Sequence, residues 1–229
     1  MTRQLFTYLL AIVFGISLFG CEKINSNDLA DDTPVYQSYR LEYDHYYDET
    51  TATAEFKVRN SSGVHIKLTG DSYVEFNGED YHDYWPVFHE YSWRSNGFTG
   101  VDFYYNKNWR QDFYNTIYAD DISFTTIPYD LDEIDLYGSG RIYWDGAPLE
   151  NYESITLSIE QSGARLVVST DRRGATYLYL DADDLSDLYP GTATIYLERE
   201  KRYNLDEEDA YAGGKKVIIM KDRKRIHLY

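Results

Sequence analysis

The chain has 229 residues, of which 39 are acidic and 22 basic, giving a net charge of −17. A field of that sign repels phosphate backbones and excludes nucleic acid as a partner. The single cysteine, Cys21, excludes an intramolecular disulfide, so packing and hydrogen bonding must hold the fold together.

Met1 to Arg3 give a short positive start, and Leu5 to Phe19 are apolar apart from Thr7, Tyr8 and Ser17. This is the anatomy of a secretion signal, shorter than the ~20 apolar residues that a membrane-crossing helix needs. The run closes on Leu18-Phe19-Gly20-Cys21, which resembles the lipobox of bacterial lipoproteins. The resemblance implies a signal peptide over residues 1–20, fatty acylation of Cys21 as the first mature residue, and anchoring to a membrane through that lipid. In the family, Asp after the cysteine favours the inner membrane. Glu22 in that place implies the outer membrane, with the periplasmic or cell-surface side left open. The acids Glu22, Asp28, Asp31 and Asp32 also resemble the surface-export segment of Bacteroidota-type lipoproteins.

Residues 21–35 are polar and end at Pro34-Val35, which reads as a flexible tether. From Tyr36 onward the hydrophobic period is two. Ala52, Ala54, Phe56 and Val58 alternate with Thr53, Glu55 and Lys57, then Val64, Ile66 and Leu68 with His65 and Lys67, as in half-buried strands. Val74 and Phe76 lead into Asn77-Gly78, a hairpin signal because both residues tolerate positive φ. Further strands are expected at Val101–Tyr105 and Thr116–Thr125. After an acidic boundary at Pro128–Glu133 a second series follows, at Arg141–Trp144 before Asp145-Gly146, Ile155–Ile159, Leu166–Ser169, Thr176–Leu180, Ala193–Leu197, Val217–Met220 and Ile226–Leu228. Lys221 to Lys224 read as the turn of a final hairpin. Leu68-x-Gly70 through Asn77-Gly78 aligns with Leu136-x-Gly138 through Asp145-Gly146, a short internal echo.

Many short strands with Gly-rich turns predict an all-β fold of tandem antiparallel β-sandwiches, one over residues 36–128 and the other over 129–229. Asp181 to Glu200, with Leu185, Leu188-Tyr189-Pro190-Gly191 and the alternating Ala193, Ile195 and Leu197, resembles the turn and returning strand of immunoglobulin-like domains. Without a cysteine pair the resemblance is to the disulfide-free bacterial variants, which serve as spacers, adhesins and glycan-binding modules.

Tyr, at 25 residues, suits both half-buried strand faces and binding surfaces. The densest aromatic cluster, Tyr81, Tyr84, Trp85, Phe88, Tyr91 and Trp93, is the candidate ligand-binding site, because rings on a loop stack on sugars or anchor a protein interface. Gly70-Asp71-Ser72-Tyr73 looks like the nucleophile block of GDS-type esterases, but the residues after Ser72 alternate as a strand. In addition, Asp222 lies five residues before His227 rather than three. Neither the acids and histidines from Glu79 to Glu90 nor Asp181, Asp183, Asp184 and Asp187 match a metal motif. No catalytic residue, metal or cofactor is assigned. The expectation is a lipid-anchored, non-catalytic recognition protein that binds a glycan or a protein. The alternative is a structural or assembly subunit of a larger envelope or pilus complex.

Overall fold

The computed structural model describes residues 23–87 and 89–229; the signal segment, Cys21 and Phe88 lie outside the described residues. The first series of strands is β1 (Lys23–Asn25), β2 (Val35–Asp44), β3 (Glu49–Val58), β4 (His65–Lys67), β5 (Tyr73–Phe76), β6 (Glu79–Asp80), β7 (Asp83–Trp85), β8 (Glu90–Asn96), β9 (Val101–Asn108) and β10 (Gln111–Ile117). The second is β11 (Glu133–Ile134), β12 (Gly140–Tyr143), β13 (Glu153–Gln161), β14 (Ala164–Thr170), β15 (Tyr177–Leu180), β16 (Gly191–Tyr203) and β17 (Gly214–Leu228). Among the described residues the only helical segments are three short 3-10 turns. The expected all-β class is present.

Eleven strands form one sheet, whose main path runs β1-β4-β3-β2-β17-β16-β13-β14, with β8 and β7 continuing beyond β3 and β11 against β17. A four-stranded sheet, β10-β9-β5-β6, covers one half of its inner face, and the pair β12-β15 belongs with the other half. Alternation decides which side chains face in. In β2 these are Val35, Gln37, Tyr39, Leu41 and Tyr43, all buried. In the first core Tyr39 and Phe56 meet Phe103 and Tyr105 across the sandwich, with ring centroids 4.6 and 4.2 Å apart. In the second, Ile155, Leu157, Ile195 and Leu197 lie in one cluster with Trp144, Leu178 and Leu180. The two cores divide between Ile122 and Ile127.

The last strand belongs to both. Gly214–Lys221 of β17 pair in parallel with β2, while β16 runs antiparallel along nearly its whole length. Ile218 and Met220 enter the first core, Ile226 and Leu228 the second. Lys221–Lys224 therefore sit inside a continuous strand instead of forming a turn. The charges are accommodated there because Asp222 accepts a hydrogen bond from the Ile127 amide (2.9 Å) and Lys224 pairs with Asp132 at 2.8 Å. Parallel pairing also occurs between β1 and β4 and between β11 and β17. Alternation in a sequence shows which face is buried but not the direction of the neighbouring strand.

Three further expectations change. The tether is laid onto the first sandwich from Lys23 onward, because β1 pairs with β4, Ile24 packs against the core and Ser26 Oγ donates to the Thr69 carbonyl at 3.0 Å. Thr116–Thr125 is extended only to Ile117 and then turns at Ala119–Asp121. Asn77-Gly78 makes the expected tight turn, with φ of 53° and 77°, but Asp145 bridges back to Thr126 and no hairpin follows Gly146. The internal echo thus ends in two different structures.

Candidate functional site

The aromatic stretch folds as a hairpin, β7-β8, whose second strand also pairs with β3. In that pairing Trp93 faces Ala52 and Tyr91 faces Ala54. The small alanines leave room on the inner face for two large rings, and Tyr91 (2% exposed) and Trp93 (6%) fill it. Both polar ends are satisfied: Tyr91 Oη accepts from the Leu68 amide at 2.7 Å, and Trp93 Nε1 donates to Glu79 at 3.0 Å. Burial holds the Tyr91 hydroxyl far above the ordinary phenol range. These two rings are therefore scaffold.

Of the other rings, Tyr81 and Trp85 are exposed, whereas Tyr84 is half-buried against the core opposite Tyr91. Tyr81 (40% exposed) meets Tyr91 edge-on at 4.9 Å, and Tyr84 lies tilted against the same ring at 4.9 Å. Trp85 is 46% exposed, and its indole N–H donates to Ser92 Oγ at 3.3 Å. Pro86 and Val87 follow directly at the tip of the hairpin, where Pro needs no ladder partner. A buried ring thus backs Tyr81 and Tyr84 on one face, and a hydrogen bond steadies Trp85 on the other, so the hairpin is held in shape before any ligand arrives.

Beside the hairpin, Glu55 and Glu90 face each other across the ladder. Burial, reinforced by Glu55, raises the Glu90 pKa. His65, 3.1 Å from Glu55 and 4.8 Å from the ring of His89, is depressed chiefly by burial. Among the described residues no three His, Cys, Asp or Glu side chains are placed to hold a metal ion. His82 accepts from the Arg94 amide and His89 meets Tyr84 Oη, each at 3.2 Å. Ser72 is buried, and its hydroxyl donates to the Lys107 carbonyl. Asp181 caps the amide of Asp183 in a local turn.

The residues that sequence reasoning missed are buried ions. Arg199 and Glu153 pair at 2.5 Å, and Lys107 and Asp209 at 2.7 Å. Arg199 follows the inward phase of Ala193, Ile195 and Leu197, the one signal that could have revealed it. It also donates to Thr125 Oγ1 and to the carbonyls of Ala147 and Pro148, which fastens the segment between the cores.

No protein-family model matches the chain, and no curated protein does. Two solved structures of bacterial adhesins are similar over 84% of it. One is a Ca2+-stabilized adhesin that helps an Antarctic bacterium reach out and bind ice, at 12% identity and a TM-score of 0.23. The other is a 1.5-MDa bacterial ice-binding adhesin studied for host cell surface retention, at 11% identity and a TM-score of 0.23. This chain spans 48% and 65% of theirs. Likeness at this level carries no argument about ligand or role.

Proposed function

We propose that this is a non-catalytic recognition protein of the bacterial envelope, held at the outer membrane by lipid on Cys21, that binds a glycan or a protein through the β7-β8 hairpin. One observation carries the reading: Tyr81 and Trp85 are exposed on a hairpin whose inner rings, with Tyr84 half-buried against them, are packed on the core. Rigid aromatic groups on a sheet lose little freedom on binding. The test is binding of the purified full-length protein to a broad glycan panel, with cross-linking in intact cells for a protein partner, beside a Tyr81→Ala/Trp85→Ala variant. Binding that the variant loses at unchanged melting temperature supports this reading; a ligand retained in full by the variant overturns it. For the anchor, labelled palmitate should enter the native protein and not Cys21→Ser.

A second reading, a subunit of a larger assembly, is favoured by strand β14. It ends the eleven-stranded sheet, is paired among the described residues only with β13, and carries Val167 with 52% of its surface exposed. A strand edge of that kind can accept a neighbour.

A further inference from the structure

The outer face of the four-stranded sheet departs from the pattern of the rest of the surface. Its inner positions, among them Val74, Phe76, Phe103 and Tyr105, belong to the first core. The opposite face is fixed by register. Tyr73 lies across from Asn106, and Asn106 from Asp112; one step along, Glu75 lies across from Tyr104, and Tyr104 from Tyr114. At the far end Thr116 stands opposite Asp102 and donates to it at 2.7 Å.

Three tyrosines thus cross three adjacent strands in contact, with centroids 5.8 Å apart for Tyr73 and Tyr104 and 4.7 Å for Tyr104 and Tyr114. Around them stand carboxylates, an amide and a hydroxyl, with no lysine, arginine or aliphatic side chain at these positions. Beside the rings is an open depression of about 690 Å³, lined by Glu75, Asp102, Tyr104, Tyr114 and Thr116 among others. The outer face of the large sheet is built differently: there acids are matched by bases, as in Arg40 with Glu42 (2.7 Å) and Lys221 with Glu42 (2.6 Å). A face that only solvates the fold has no need to segregate its charges in this way.

We infer that this face is a second binding site, distinct from the hairpin, for a neutral oligosaccharide. Aromatic rings cover the C–H faces of pyranoses, and planar carboxylates and amides accept from their hydroxyls. Asp112 already accepts from Tyr104 Oη, and Asn106 Nδ2 donates to the same hydroxyl, each at 3.3 Å; this pre-orients the central ring. The unmatched acids repel uronic acids, sialic acids and phosphate-bearing sugars.

The experiment is calorimetric titration of the purified full-length protein with neutral hexasaccharides of glucose, mannose, galactose and xylose, with oligogalacturonate, and with oligolysine. At least one neutral sugar should bind and oligogalacturonate should not. Tyr114→Ala, at a ring 57% exposed, should weaken the neutral sugar about tenfold, the equivalent of one ring contact. Glu75→Gln should weaken it less, and both variants should keep the native melting temperature. Absence of neutral-sugar binding, preference for oligogalacturonate, or binding of oligolysine alone would overturn the inference. So would a neutral sugar lost with Trp85→Ala but retained in Tyr114→Ala, an outcome that places binding on the hairpin. Tyr114→Phe keeps the ring and should retain most of the affinity.

Discussion

Arg199 and Glu153 form an ion pair 2.5 Å long between two side chains that are both closed off from solvent. A buried charge deprived of its partner is costly. Arg199→Ala should lower unfolding free energy by about 3–5 kcal/mol, measured by denaturant titration. Arg199→Met with Glu153→Leu should recover part of that loss. Recovery should be incomplete, because Thr125, Ala147 and Pro148 also lose a donor.

Trp85 and Tyr91 belong to the same hairpin but have opposite tasks. Trp85→Ala should change stability by no more than about 0.5 kcal/mol, as for an exposed position. Tyr91→Phe removes the acceptor of the Leu68 amide and should cost about 1 kcal/mol. If Trp85→Ala instead destabilises like a core truncation, the outward rings belong to the core.

Glu90 gives a pH signature. Its folded-state pKa is raised, by burial first and then by Glu55, above the ordinary value of 4.5. The folded protein therefore holds this proton more tightly than the unfolded chain, and the ionised carboxylate opposes folding once the pH passes above the folded pKa. Glu90→Gln should raise the melting temperature at pH 7, and the gain should vanish below about pH 4, where both states are protonated. A gain that persists in acid would assign the effect to something other than this carboxylate.

Lys107 and Asp209 tie the Glu207–Ala212 loop to the first sandwich, and Asp209 also accepts from the Val35 amide at 2.8 Å. Asp209→Ala leaves the Lys107 ammonium and that amide without an acceptor. The expected loss is about 3–5 kcal/mol, with earlier protease cleavage in this loop as an independent readout.

Period-two alternation was enough to locate most strands, and Asn77-Gly78 to locate a turn, because both signals are local. The path of β17 was not legible. Lys221, Arg223, Lys224 and Arg225 look like a solvated turn until Asp132, Asp222 and the chain near Pro128 are seen beside them. The aromatic cluster was legible as a cluster but not in its orientation: that Tyr91 and Trp93 turn inward follows from their register against Ala54 and Ala52, which is a long-range fact. The same holds for Tyr73, Tyr104 and Tyr114. Alternation points each of them outward, but only the pairing of β5, β9 and β10 brings them side by side.

Strand β17 supplies Ile218 and Met220 to one core and Ile226 and Leu228 to the other. Both cores lack part of their packing while that strand is missing, although nearly every other residue of the first core precedes it by roughly a hundred positions or more. Early folding of the leading half, the usual course for a chain emerging in order, is thereby withheld. The strand that completes both halves therefore couples the folding of one to that of the other.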